Sequence, residues 1–286
     1  DPESLPSTNV EQAIMFVDVR NFTRISEGMS SQATTEFLFT LNKGLSIPLI
    51  EYEDTGVVAY TDKFMGDGMM NVFEKPEISL RTAVDMRLRL YDYNKNIKSL
   101  FPAAPDDLKI EIGAGISYGP VTLGIMGHPH RLDFTPIGDT VNIASRLETL
   151  TKIYHTPILI NEAIYESVNR EDFTLRHVDK IRVKGKSQPV DIYEEFSTNS
   201  PKIRDIKLQL LPILDELREM YFSGQNWKEA ERLALSLLKR YKEAAMLNNL
   251  GDEVVDYLPY IYLGRMRSIS KKPELFQNWN GVYTFN

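Results

Sequence analysis

Ile14-Met15-Phe16-Val17-Asp18 and Lys63-Phe64-Met65-Gly66-Asp67-Gly68-Met69-Met70-Asn71-Val72-Phe73 decide how the N-terminal two thirds of this chain fold. Residues 14–17 are a short unbroken apolar run, which reads as a strand covered on both faces with a carboxylate at its C-terminal end. In the second stretch Gly66-Asp67-Gly68 separates two runs with strand character. Its glycines tolerate positive φ, so it reads as the turn of a hairpin.

Working outward, Phe37, Leu41, Leu45, Leu49 and Ile50 fall on one face of a helix between these strands, and Val57–Tyr60 lead into the hairpin. A second helix fits Leu80–Ile97. A second hairpin is expected to run Ile110–Ser117, turn at Tyr118-Gly119-Pro120 and return through Val121–Met126. Asp139–Leu150 read as a helix, Ile158–Ile160 as a strand, and Val190–Phe196 as the last strand. The order β-α-ββ-α-ββ-α-β predicts an α+β fold, a ferredoxin-like βαββαβ core with extra strands.

Ser197-Thr198-Asn199-Ser200-Pro201 is a polar stretch closed by proline and reads as a linker. It divides the chain into a domain over 1–197 and a small all-α segment over 201–286. The charge divides there too: residues 201–286 carry 13 basic and 11 acidic side chains, a balance of +2, against −9 for the first 200 residues. Beyond the linker, Ile203, Ile206, Leu210, Ile213, Leu214, Leu217 and Met220 form the apolar face of a helix, with Pro212 set to kink it. A second helix starts from a capping box of Asn226 and Glu229. A third covers Val255 to Ile269 with Pro259 in its path. Gly224–Ala230 faintly resembles a fragment of a tetratricopeptide unit, and a single unit of that kind cannot bury its face alone. The segment is therefore expected to pack on the domain over 1–197 of its own chain or on that of a second copy.

Composition sets the outer limits. The 286 residues are 42% hydrophobic and 26% charged, as in a soluble globular protein. The absence of cysteine removes disulfide frameworks, thiolate zinc sites and thiol nucleophiles. A formal charge of −7 argues against a sequence-independent nucleic-acid binder, which needs a basic face. No apolar run approaches the ~20 residues of a membrane span, and no signal peptide opens the chain, so a cytoplasmic location is expected. Asp1-Pro2 lies only a few residues before the first strand, which leaves room for an upstream sensor or membrane region.

Asp18 and Asp67 form the first candidate pair. Two carboxylates brought together repel unless a divalent cation neutralises them, and oxygen-only ligands favour Mg²⁺ or Mn²⁺ over zinc. Read alone, Asp67 suits an Asp-Gly turn equally well. Lys63 interrupts an apolar strand, a costly place for an ammonium unless it finds an acceptor or snorkels to water. Asn142 and Arg146 are i and i+4 on one helix face, an arrangement suited to a sugar and to phosphate oxygens; a solvated helix face is the other reading. Val183-Lys184-Gly185-Lys186 sets two ammoniums around a glycine, by itself an ordinary polar turn. His128-Pro129-His130 lacks the spacing of a metal clip and reads as a solvated loop.

Together, Phe16–Thr23, Lys63–Gly68, Asp133–Glu148 and Val183–Lys186 resemble the class III nucleotide cyclase catalytic domain over roughly residues 10–196. The resemblance implies a homodimer with two composite sites, and 286 residues hold only a single such domain. Asp18, Asp67 and the Val19 carbonyl of one subunit would hold two Mg²⁺ or Mn²⁺ ions. The other subunit would supply Lys63 and Thr135 to the base, Asn142 and Arg146 to the ribose and transition state, and Lys184 to the β- and γ-phosphates. Guanylyl cyclases of this family typically place Glu at the lysine position. Lysine only donates and so matches adenine N1, which makes ATP the expected substrate and 3′,5′-cyclic AMP the product. Threonine at 135 resembles the subgroup that includes bicarbonate-responsive cyclases, which implies bicarbonate as an activator. Two alternatives stand beside this: a guanylyl or relaxed-specificity cyclase, and a catalytically silent cyclase-like interaction module. The intact set of expected positions argues against the silent module.

Overall fold

The computed structural model describes residues 7–105, 107–128, 131–182, 188–251 and 255–285. The chain forms two compact units, Asp1–Arg176 with Tyr193–Thr198, and His177–Ile192 with Asn199–Asn286. The first contains β1 (Thr8–Val19), α1 (Phe22–Glu27), α2 (Ser31–Glu53), β2 (Ala59–Met65), β3 (Gly68–Phe73), α3 (Pro76–Lys95), α4 (Ile97–Leu100), β4 (Ile112–His128), β5 (Arg131–Ile137), α5 (Asp139–Tyr154), β6 (Ile158–Asn161) and α6 (Glu162–Ser167). Strands β7 (Leu175–Arg182) and β8 (Val190–Glu195) have residues in both units. The second unit adds α7 (Pro201–Ser223), α8 (Trp227–Leu247), α9 (Leu258–Ser270), α10 (Pro273–Gln277) and β9 (Tyr283–Thr284). Among the described residues no helix is long and apolar enough to cross a membrane.

The α+β fold expected from the sequence is the one observed. Strands follow the order β2-β3-β1-β4-β6-β8, with β5 also paired to β4. The sheet is mixed: β4 runs parallel to β6 and antiparallel to β1 and β5. Alternation along β1 sends successive side chains to opposite faces. Ala13, Met15, Val17 and Val19 pack with Phe37, Leu41 and Leu45 of α2 and Leu80, Ala83 and Met86 of α3. Ile14 packs with Met70, Val72, Val121 and Ala144, and Phe16 lies against that second core, so the other face is covered by α5. Asp18 continues the Ile14–Phe16 side and is thereby aimed at α5.

Four local expectations are corrected. No turn occurs at Tyr118-Gly119-Pro120: β4 runs straight through it, because β1 pairs with Ile112–Leu123 without a break. Pro120 is tolerated because β6 pairs only with Ala114–Ile116 and β5 only from Thr122 onward, leaving a gap on that edge. The actual return strand is β5. Ile50 is exposed rather than on the buried face of α2. Asn226 makes no side-chain cap; it adopts the left-handed conformation at φ 54°, and Glu229 pairs with Arg232. Pro259 sits in the first turn of α9, where its missing N–H costs nothing, and so does not interrupt the helix.

The second unit is built on aromatic packing. Tyr221 of α7 stacks on Tyr262 of α9 with centroids 4.8 Å apart. The indole N–H groups of Trp227 and Trp279 both donate to the Tyr221 carbonyl, at 3.2 and 2.9 Å. Arg265 of α9 makes a buried ion pair with Asp179 of β7 and lies 3.7 Å over the Tyr283 ring. β9 pairs in parallel with the end of β7.

Candidate active site

Asp18 and Asp67 meet because β1 lies beside the β2–β3 hairpin. Val17 pairs with Met69, so the turn at Gly66-Asp67 falls next to the end of β1. Gly66 takes the positive φ of 66° that the turn requires. The two carboxyl groups are close enough to act on each other's charge. Burial first, and the neighbouring Asp18 charge second, push the Asp67 carboxyl above the ordinary range.

A cationic side chain already faces this pair. The Lys152 ammonium lies 2.5 Å from Asp18 Oδ2 and 3.6 Å from Glu148 Oε1. Burial opposes its charge, yet the bond to Asp18 and the carboxylate of Glu148 hold its pKa above the ordinary lysine range. The approach depends on glycine. Asp18 pairs with Gly113, and a Cβ at Gly115 would collide with the Glu148 backbone nitrogen. Side chains at 113 and 115 would hold α5 off the sheet. Arg20 completes the network, donating to Thr151 and lying 3.8 Å from Glu148. Asn21 follows in the left-handed conformation, φ 55°, which asparagine tolerates.

A second polar cluster joins Lys63 to Thr135. Lys63 Nζ donates to Thr135 Oγ1 at 3.2 Å, and Thr135 Oγ1 donates to Asp62 Oδ2 at 3.0 Å. Lys63 Nζ is also 3.1 Å from that same Asp62 oxygen. The ammonium therefore finds acceptors inside the fold. The β2–β3 register shifts between Thr61 and Lys63, a bulge that gives Asp62 no pairing partner on β3.

Asn142 and Arg146 lie on α5, Asn142 exposed and Arg146 half-buried, while Ala144 and Leu147 of the same helix are buried. Val19 ends β1 one residue past Asp18, opposite Ile112. Lys184 lies outside the described residues, as do Val183, Gly185, Lys186, Pro129 and His130. The structure thus brings together Asp18 with Asp67, and Lys63 with Thr135. Asp62, Glu148, Lys152 and Arg20 also belong to these clusters, and sequence reasoning missed all four. The Gly113-Ala114-Gly115 pattern and the i, i+4 spacing of Glu148 and Lys152 were the available signals.

The donor set fits hard divalent cations. Among the described residues no three His, Cys, Asp or Glu side chains cluster as metal ligands. The pair offers two carboxylates and a nearby backbone carbonyl, all oxygen. Mg²⁺ is commonly held this way, with one or two carboxylates and the remaining positions filled by water and substrate phosphates.

The chain matches the family described as the adenylate and guanylate cyclase catalytic domain over residues 6–194. It belongs to that family. Its catalytic domains typically act on nucleotides as dimers and use divalent metals. The chain is 32% identical over 212 residues to the terminal-differentiation-specific adenylate cyclase of Dictyostelium discoideum, covering 73% of this chain and 10% of that protein. It is 36% identical over 185 residues to an adenylate cyclase of Anabaena cylindrica, covering 63% of this chain and 36% of that protein. It therefore spans a tenth and about a third of those relatives' lengths. Among solved structures, the adenylyl cyclase CyaB from P. aeruginosa superposes with a TM-score of 0.58 at 28% identity, over 68% of this chain and 97% of that one.

Proposed function

We propose that the chain is an adenylyl cyclase that converts ATP to 3′,5′-cyclic AMP and pyrophosphate in a homodimer with two composite sites. Residues 1–197 form the catalytic domain and 201–286 a helical extension. The observation that carries the cyclase reading is the convergence of Asp18 and Asp67, where burial and the Asp18 charge push the Asp67 carboxyl above its ordinary range. The preference for ATP is supported by the contact of Lys63 with Thr135.

Asp18, Asp67 and the Val19 carbonyl would hold two Mg²⁺ or Mn²⁺ ions. When bound, these ions supply neutralising charge on the triphosphate and acidify the ribose 3′-hydroxyl. The partner subunit contributes the remaining groups. Its Asn142 orients the ribose so that the 3′-oxygen faces the α-phosphorus in line with the departing oxygen. Its Arg146 binds the α-phosphoryl oxygens, where charge gathers as the new P–O bond forms and the bond to pyrophosphate breaks. Lys184 neutralises the β- and γ-phosphates. Lys63 donates to adenine N1, while guanine would present an N1–H donor to the same ammonium. No protein nucleophile takes part. Bicarbonate activation rests on Thr135 alone, and a lack of response to added bicarbonate at fixed pH and ionic strength would remove it.

Complementation tests the composite site. Asp67→Asn and Arg146→Ala homodimers are each expected to be inactive, and their mixture to recover one working site per heterodimer. Proven heterodimers with no recovered cyclic AMP formation would refute the arrangement.

A further inference from the structure

Asp62 precedes the base-facing lysine and plays no role in the reaction derived above. Its side chain is only 3% exposed. Regular alternation would send Asp62 and Lys63 to opposite faces of β2. The bulge between Thr61 and Lys63 cancels that alternation, so two consecutive side chains converge on Thr135.

The hydrogen-bond inventory of this triangle has one solution. Lys63 can only donate, so Thr135 Oγ1 must accept from it. The single hydroxyl proton of Thr135 then goes to Asp62 Oδ2, which also receives Lys63. What Thr135 has left is a lone pair. We infer that Asp62 is a specificity-determining positioning residue: by taking the Thr135 proton it fixes that hydroxyl as an acceptor, able to receive the exocyclic amine of adenine and unable to donate to guanine O6. A threonine alone would serve either base, since its hydroxyl can turn to donate or accept. With Asp62 behind it, both base contacts discriminate in the same direction. The inference rests on the assignment of Lys63 and Thr135 to the base.

The test compares kcat/KM for ATP and for GTP in the full chain with Mn²⁺, each pair measured on one preparation. Asp62→Asn preserves shape, but its amide can donate to Thr135 and release the hydroxyl proton toward the base. The ATP-to-GTP ratio is expected to fall about tenfold, with use of GTP rising as that of ATP drops. A merely structural lesion would lower both. Asp62→Ala should shift the ratio the same way. In a Thr135→Val background, which has no hydroxyl to orient, Asp62→Asn should change the ratio less than about twofold. An unchanged ratio in Asp62→Asn, with a shifted one in Thr135→Val, would overturn the role of Asp62. So would an Asp62→Asn effect undiminished in the Thr135→Val background. If neither Lys63→Ala nor Thr135→Val moved the ratio, the base assignment itself would fall.

Discussion

Lys152→Met removes the ammonium that faces Asp18 while keeping an unbranched apolar stem of similar length. This ammonium lies 2.5 Å from Asp18 Oδ2. A divalent ion entering the carboxylate pair must displace it or bind against its charge. Two unit charges 4 Å apart interact by about 4 kcal/mol at an effective dielectric constant of 20 and about 1 kcal/mol in water. The Lys152 side chain is 47% exposed and has Glu148 at 3.6 Å to turn to, so the lower figure applies. Giving up Asp18 then costs about 1 kcal/mol, and Lys152→Met should bind Mn²⁺ about fivefold more tightly. The assay is a titration of nucleotide-free protein with Mn²⁺, reading the free ion by electron paramagnetic resonance. Asp18→Asn serves as the control in which binding is lost. Unchanged or weaker Mn²⁺ binding in Lys152→Met, with the control behaving as expected, would refute the competition.

Three further outcomes follow from the geometry. Asp67 has its folded-state pKa raised above 3.8, so it stabilises the metal-free protein below the ordinary carboxylate pKa and loses that contribution as pH rises through its own higher value. The melting temperature in chelator should fall across that interval, and saturating Mn²⁺ should remove the slope; a flat profile in chelator would contradict the assignment. Gly115→Ala would drive a methyl group into the α5 backbone at Ala144 and Glu148, and should lower unfolding stability by ~3 kcal/mol in urea titrations. Arg265→Leu leaves the fully buried Asp179 without its ion-pair partner and should cost about 3 kcal/mol, read from the same denaturation curves.

Residue patterns and family resemblance made different regions of the molecule legible. Period and turn chemistry located β1, the β2–β3 hairpin and α5, because each couples a clear apolar pattern to a glycine or an acid at its end. They misplaced the turn after Ser117, since Gly-Pro punctuates a sequence locally while the pairing of β4 with β1 spans twelve residues. They missed β7, whose sequence Leu-Arg-His-Val-Asp-Lys-Ile-Arg carries buried charges, Arg176 and Asp179, where a strand signal would have apolar residues. Asp18, Asp67, Lys63 and Thr135 were visible as residues. That Asp62 and Lys152 complete their clusters depends on a bulge and on a helix approaching two strand glycines. Neither leaves a periodic trace.

The irregularity in β2 also bears on how nucleotide preference can be altered. Asp62 reaches Thr135 through a backbone offset, and that offset persists whatever side chains are written at 63 and 135. A guanine-reading pair installed at those two positions would still meet an acceptor fixed behind them. Deleting Asp62, the one residue between Thr61 and Lys63, would restore a regular ladder and remove the acceptor from the triangle. On the proposed base assignment, discrimination between purines would be stored as a count of residues along one strand as much as in their identities, and an exchange of specificity would have to rewrite both.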